Sequence, residues 1–456
     1  MALYTDSISK NKHPNVLWIL SDQHRAQACS FSGDPNVSTP NLDMLAATGT
    51  VFTNAYAGAP LCCPFRGSLL TGLYPNQCVK GHEQALPQGV DTLAKVFKEN
   101  QYHTFYLGKW HLGGCKEDKE PTDTYIVPHA LRGGFEDWIG YENNNSQYRT
   151  TIHGHIGRNE YSQRRLIGYE TDELTDILID YLEDRKDNPR PFFAVLSVQP
   201  PHDPCVAPPE FACKHNPKAI SLRPNVPQQG PINERARREL AGYYAQIENL
   251  DYNIGRIVKK LRSTGLYDKT HIIYFSDHGD MHGSNGKFRK NMPYEECARI
   301  PFIISGEIAT PYQFDGRRNG RIEVLLNHVD IAPTTLGLCN LPIPSAMVGT
   351  DFSGYRLEFR PKPEREPDSL YMQSIIPTLH AEGVDRPWRA IITRDGWKYA
   401  CFSEIPWLLY NLREDPYEQI NVALEPKYQS IRKELHSILA EWITKSKDSF
   451  DLPSIN

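Results

Sequence analysis

The residues best suited to chemistry stand together at Cys62-Cys63-Pro64-Phe65-Arg66, followed at a fixed interval by Leu69-Leu70-Thr71-Gly72. Pro64 suits the first turn of a helix, where a missing N–H costs nothing, and Leu69 and Leu70 then fall on a face that packs inward. Cys62 therefore lies at a helix start. Orphan N–H groups and the positive end of the helix dipole stabilise negative charge there, such as a thiolate, and Arg66, one turn on, reaches back to the same spot. Taken alone, the segment reads equally well as a buried structural cysteine followed by a surface arginine.

Four further clusters of ionisable residues each follow an apolar run. Asp22-Gln23-His24-Arg25 follows Val16-Leu17-Trp18-Ile19-Leu20, Lys109-Trp110-His111 follows residues 102–107, Pro201-His202-Asp203 follows 192–198, and Asp277-His278-Gly279-Asp280 follows 272–275. Continuous apolar runs of this length, bounded by polar residues, predict strands buried on both faces, with a further one at 301–304. Helical patterns at 41–47, 92–99, 173–183 and 234–262 lie between them. Such alternation predicts an α/β fold built on a mostly parallel sheet flanked by helices, with its functional loops at the C-terminal ends of the strands. Four clusters converging on one sheet edge are what an active site assembled from separate loops requires.

Composition bounds the alternatives. The chain has 456 residues, 39% hydrophobic and 23% charged, which suits a sizeable core in a soluble enzyme. A formal net charge of -5 and the lack of a lysine or arginine block argue against a nucleic-acid partner. Residues 1–15 are polar and no run of eighteen apolar residues occurs, so neither a signal peptide nor a membrane span is expected. The ten cysteines follow no small-domain spacing and include no C-x-x-C pair; free thiols and a cytoplasmic location are the expectation.

The pattern C-x-P-x-R-x-x-L-L-T-G at Cys62 resembles the signature of type I, formylglycine-dependent sulfatases of the alkaline phosphatase superfamily. Thr39-Pro40-Asn41-Leu42-Asp43-Met44-Leu45-Ala46-Ala47-Thr48-Gly49 resembles the family's opening motif. Gly108-Lys109-Trp110-His111-Leu112-Gly113, Pro200-Pro201-His202-Asp203-Pro204 and Ser276-Asp277-His278-Gly279-Asp280-Met281 resemble three more. The likeness runs from about residue 15 to 421.

The resemblance implies hydrolysis of a sulfate ester, on a sulfated carbohydrate or a small aryl or alkyl sulfate. Cys62 would be oxidised to 3-oxoalanine (formylglycine) by a formylglycine-generating enzyme, and its hydrate would attack sulfur. It also implies one divalent cation, Ca2+ first, held by Asp22, Gln23, Asp277, His278 and residue 62. Gln23 stands where many members carry Asp, and His278 where many carry Asn. An imidazole among oxygen ligands shifts the balance toward Mn2+ or Zn2+, with Mg2+ also open. Arg66, Lys109, His111, His202 and Lys290 complete the implied catalytic set: lysines and metal neutralise the sulfate oxygens, His111 takes a proton and His202 protonates the leaving alcohol. Lys290, rather than Lys287, is selected because it lies four residues before Tyr294-Glu295-Glu296.

Arg25 and His282 are weaker candidates for substrate contact. Residues 143–165, with His153, His155 and Arg158, read as an inserted surface loop, and Asn285 takes a place where many members carry His. Residues 388–399 read as a hairpin turning at Arg394-Asp395-Gly396, 407–412 as a strand, and 426–445 as an amphipathic helix with Ile431, Leu435, Ile438, Leu439 and Trp442 on one face. The expected organisation is a catalytic domain over 1–360 and a smaller C-terminal antiparallel sheet with a helix over 361–456, joined by a Pro-rich linker at 360–367. Hydrolysis of a phosphonate monoester or phosphodiester is the alternative reading, and a non-catalytic binding protein with a relic site is the third. The partner expected is a small-molecule or saccharide ester, with no membrane and with room for a homo-oligomer.

Overall fold

The computed structural model describes residues 13–306, 319–378 and 382–455; most of the polar N-terminal stretch lies outside them. Ten strands form one sheet: β1 (Asn15–Asp22), β2 (Thr50–Tyr56), β3 (His103–Lys109), β4 (Asp137–Tyr141), β5 (Thr151–Ile156), β6 (Asn159–Arg165), β7 (Phe192–Pro201), β8 (Thr270–Ser276), β9 (Phe302–Ser305) and β10 (Gly320–Asn327). Their spatial order is β10-β2-β9-β8-β1-β7-β3-β4-β5-β6. β8, β1, β7, β3 and β4 are mutually parallel. The strand predicted at 301–304 forms as β9 but runs antiparallel to both of its neighbours.

Alternate side chains of β1 bury themselves in different layers, which is why its sequence is apolar throughout. Val16, Trp18 and Leu20 pack with helices α2 (Cys62–Thr71) and α3 (Leu93–Glu99) and with α8 (Ile331–Leu338). Leu17 and Ile19 pack with α1 (Pro40–Thr48), α4 (Glu170–Arg185) and the 33-residue α6 (Pro231–Ser263). Two short helices, α5 (Pro209–Ala212) and α7 (Glu295–Ala298), lie outside these two clusters, and α7 packs toward the second sheet.

A second, antiparallel sheet comprises β11 (Ser369–Ser374), β12 (Trp388–Thr393), β13 (Trp397–Cys401) and β14 (Pro406–Asn411), in that order. One face meets Met281, Met292 and Tyr294 of the larger unit; the other takes Leu435 and Leu439 of α9 (Gln429–Lys445), flanked by Ile431, Ile438 and Trp442. The stretch at 360–367 is not a loose linker. Arg360 is ion-paired with Asp351 at 2.6 Å, and Glu366 accepts a hydrogen bond from Tyr355. Residues 151–165 are likewise a hairpin on the sheet edge rather than a surface loop. His153 and His155 are buried in it, accepting from the Val127 amide and facing Arg132 respectively, while Arg158 is exposed. Among the described residues no helix is long and apolar enough to cross a membrane.

Register brings the site together. Ser21 pairs with Ser276, Asp22 with Pro201, and Gly108 with both Ser197 and Gly140, so the four ionisable clusters leave neighbouring strands at one edge. The turn into Lys109 depends on Gly108, whose φ is +108° and whose missing Cβ would lie 2.0 Å from the Ser197 carbonyl. Gly108→Ala is therefore expected to cost at least about 2 kcal/mol in urea unfolding; a loss below about 0.5 kcal/mol would show that this close approach does not shape the edge.

Candidate active site

Cys62 is the first residue of α2, fully buried, and Leu61 before it is extended and offers no side-chain cap. Its Sγ lies 3.2 Å from His278 Nε2, 3.3 Å from Lys290 Nζ and 3.8 Å from Asp22 Oδ1. Burial and the Asp22 charge push its thiol up, but Lys290, Lys109 and His278 outweigh them and hold it below the ordinary thiol value.

Around this sulfur the buried charges are cross-paired. Lys109 donates to Asp22 Oδ2 at 2.5 Å, and Arg66 reaches the same oxygen at 3.4 Å. The Arg66 guanidinium also donates to Asp277 Oδ2 through Nε and Nη2, at 3.2 and 3.0 Å, and through Nη1 to the Lys109 carbonyl and Ser197 Oγ. Burial pulls the Asp22 carboxyl up, yet the Lys109 and Lys290 ammonium groups hold it well below the usual range. With each Oδ2 engaged, both Oδ1 atoms lie on the His278 side, 3.6 Å (Asp22) and 3.7 Å (Asp277) from its Nε2, and Asp277 Oδ1 also accepts from the Gln23 backbone amide at 3.1 Å. His278 Nδ1 donates to the Gly279 carbonyl at 2.9 Å, so Nε2 faces the two carboxylates and residue 62. Two carboxylate oxygens and an imidazole nitrogen with its second nitrogen tied to backbone are a fitting metal-ligand set, and donor atoms of Asp22, Cys62, Asp277 and His278 all fall within 4.8 Å of one another.

Gln23 departs from the ligand role expected of it. Its backbone has φ +72°, its Nε2 donates to Asp280 Oδ2 (2.6 Å) and Asp203 Oδ1 (3.2 Å), and its Oε1 accepts from Lys290 at 3.1 Å. The longer amide holds the lysine instead. Lys290 also donates to His202 Nε2 at 2.6 Å, while His202 Nδ1 donates to the Asp203 carbonyl at 2.6 Å. Burial, then Lys290, lower the His202 pKa to about 3, so the imidazole is neutral. His111, at φ +56° and 3% exposed, is also pushed well below its ordinary value, first by burial and then by Lys109 and His82.

A cavity of about 320 Å³ opens onto this cluster, lined by His82, His111, Glu117, Asn143, Asn145, His202, Asp203, Arg289, Lys290 and Glu382 among others. Arg25 and His282 do not line it, contrary to their expected substrate contact. Arg25 is 1% exposed and donates to Tyr244 Oη; His282 is fully buried, edge-on to Tyr243 and 3.5 Å from Glu239 and Asp280. Both brace the loop behind the site. Lys287 and Asn285 are also absent from the cavity wall. Conversely, His82, Glu117, Arg289 and Glu382 line it without having been singled out from sequence; each sits in an irregular segment with no periodic or spacing signal.

The family model described as Sulfatase matches residues 14–341, and that of the N-sulphoglucosamine sulphohydrolase C-terminal region matches 283–445. The chain is 33% identical over 442 residues to an ulvan-active sulfatase of Formosa agariphila, covering 96% of this chain and 82% of that protein. The crystal structure of a putative sulfatase, yidJ, of Bacteroides fragilis superposes with a TM-score of 0.85 at 26% identity, covering 98% and 99% of the two chains. A phosphonate monoester hydrolase of Agrobacterium radiobacter shares the fold, with a TM-score of 0.76 at 23% identity over 95% and 96%. The chain belongs to the sulfatase family and is a sulfuric ester hydrolase.

Arg66 ties both carboxylates to the edges of β3 and β7, and a lysine cannot reproduce its fork. Arg66→Ala is expected to destabilise the fold by about 3–5 kcal/mol, because buried charge is left unpaired. Arg66→Lys should fold but lose at least about a hundredfold in kcat. Thermal unfolding and steady-state kinetics check both, and unchanged kcat in Arg66→Lys would contradict this role.

Proposed function

We propose that the chain hydrolyses the sulfate monoester of a sugar, using residue 62, matured from cysteine to formylglycine, as nucleophile. The observation that carries this reading is the position of Cys62 Sγ, 3.2 Å from His278 Nε2 and 3.3 Å from Lys290 Nζ, beside a cavity whose wall includes Lys290. The C-terminal match to the N-sulphoglucosamine sulphohydrolase region supports a sugar, as does a cavity wall rich in amide and carboxylate groups that hydrogen-bond hydroxyls. Formylglycine supplies, as its hydrate, an oxygen nucleophile and a second oxygen through which sulfate can be released.

Asp22, Asp277 and His278 would hold a divalent cation, with residue 62 as the fourth contributor, while the Gln23 amide is taken up by Lys290, Asp203 and Asp280. Such an ion supplies Lewis-acid neutralisation of sulfate charge; Ca2+ is the expectation from the family, and the imidazole widens it to Mn2+. Lys290, on the cavity wall, is the cation for the ester's non-bridging oxygens, whereas Lys109 acts from behind Asp22. The proton for the departing alcohol sits on the Lys290–His202 pair rather than on His202 alone, since Lys290 donates and a neutral His202 accepts. His111, neutral at the cavity wall, is the base that receives the proton given up by residue 62. A formylglycine-generating enzyme is the maturation partner this mechanism needs.

Parallel turnover of an aryl sulfate, an aryl phosphonate monoester and a phosphodiester tests the reading. The sulfate is expected to lead by at least about tenfold in kcat/KM, and a lead for the phosphonate would overturn it. Mass spectrometry of the Cys62 peptide from active enzyme should show oxygen in place of sulfur, and Cys62→Ala should lose at least about a thousandfold in kcat. Chelation should abolish turnover and added Ca2+ or Mn2+ restore it; activity that survives exhaustive chelation would remove the metal from the mechanism.

A further inference from the structure

Beside the nucleophile lies a second group of metal-ligating side chains. Cys63 follows Cys62 in α2, yet its sulfur meets different partners. One donor atom each from Cys63, His82 and His111 falls within 4.8 Å of the others. Cys63 Sγ is 3.8 Å from His82 Nδ1, and the rings of His82 and His111 meet edge to face with centroids 4.8 Å apart. Bonds of about 2.3 Å to sulfur and about 2.0 Å to nitrogen at a tetrahedral angle separate those atoms by about 3.6 Å. The Cys63–His82 spacing is within a few tenths of an ångström of that.

Two more observations bear on this cluster. His82 Nε2 faces Glu117 Oε1 at 3.8 Å, beyond direct hydrogen-bond distance, with Nδ1 on the Cys63 side of the ring. His111 Nδ1 is buried with no hydrogen-bond partner, in a ring only 3% exposed, and an orphaned buried nitrogen calls for a polar neighbour. The donor set selects the ion: one thiolate and two imidazoles suit Zn2+, whereas Ca2+ and Mg2+ take oxygen ligands.

We propose that Cys63, His82 and His111 form a second metal site, selective for Zn2+, and that an ion bound there inhibits hydrolysis by occupying His111. The inhibitory half rests on the role given to His111 above; the binding half stands on geometry alone. On binding, the Cys63 thiol releases its proton to water as the sulfur–zinc bond forms, with no change in oxidation state. The cavity walled by His82 and His111 is the way in, and water completes the coordination.

Co2+ reports thiolate ligation through a sulfur-to-cobalt charge-transfer band. Titrated under excess Ca2+ into the Cys62→Ala chain, which lacks a thiol at the first metal site, it should give that band at one ion per chain, displaced by Zn2+. The band should vanish when Cys63→Ser is added, and the affinity should fall at least about tenfold when His82→Gln is added instead. In the mature chain under excess Ca2+, Zn2+ should inhibit aryl sulfate turnover, and Cys63→Ser should raise the inhibitory concentration at least about tenfold. Turnover of Cys63→Ser without Zn2+ should stay within about threefold of wild type. No band, or one that persists without Cys63, would overturn the site; equal inhibition of both chains would overturn its inhibitory role. Should Cys63→Ser fail to fold, Cys63→Ala carries the same comparison. The band requires no turnover, so this test fails or succeeds independently of the proposed reaction.

Discussion

Packing charge into a dry place is the constraint on which the rest of this structure depends. Arg66, Lys109 and Lys290 converge on Asp22 and Asp277 beside Cys62, all in the interior or at its edge. Burying any one of them alone would cost several kcal/mol, so each must be placed where its partners already are. The parallel register of β8, β1, β7 and β3 does this for the strand-borne groups, and the start of α2 brings in Cys62 and Arg66. Arg66 and Lys109 pair with the two carboxylates, Lys290 adds a cation 3.3 Å from the sulfur of residue 62, and a bound divalent ion would add to it. That is an anion-attracting centre by construction.

The smaller sheet contributes to the same arrangement. Lys290 sits in a loop, and its neighbour Asn291 donates its amide to the Pro60 carbonyl while its own carbonyl accepts from Trp388 of β12. Four residues on, Glu295 receives the buried Lys398 of β13 at 2.9 Å, and Lys398 also pairs with Glu418. The loop that carries Lys290 is thus clamped between the segment that enters α2 and the C-terminal sheet. Gln23 closes the circuit by holding Lys290 toward Asp203 and Asp280.

Much of this was legible in the sequence because chemistry imposed it locally. The apolar runs marked β1, β3, β7 and β8, and the residues just past them, with Cys62 and Arg66, meet in one cluster. What escaped depends on distant partners. Gln23 reads as a stand-in for a carboxylate ligand, but three groups from other loops turn its amide to a different task. Arg25 and His282 stand in the right motifs, yet tyrosines of α6 face them away from the cavity. His82, Arg289 and Glu382 line the cavity from irregular segments that carry no pattern. The hairpin β5–β6 looked like a loop because its outer strand is almost wholly exposed and polar.

The central claim is that the two carboxylates and His278 Nε2 are arranged around residue 62 to hold a metal. Anomalous diffraction from crystals grown with Mn2+ tests it most directly. The account predicts one strong peak in contact with Asp22, Asp277, His278 and residue 62, with Gln23 still bonded to Lys290. A peak elsewhere, or an intact Asp22–His278–residue 62 cluster with no ion in it at saturating Mn2+, would contradict it.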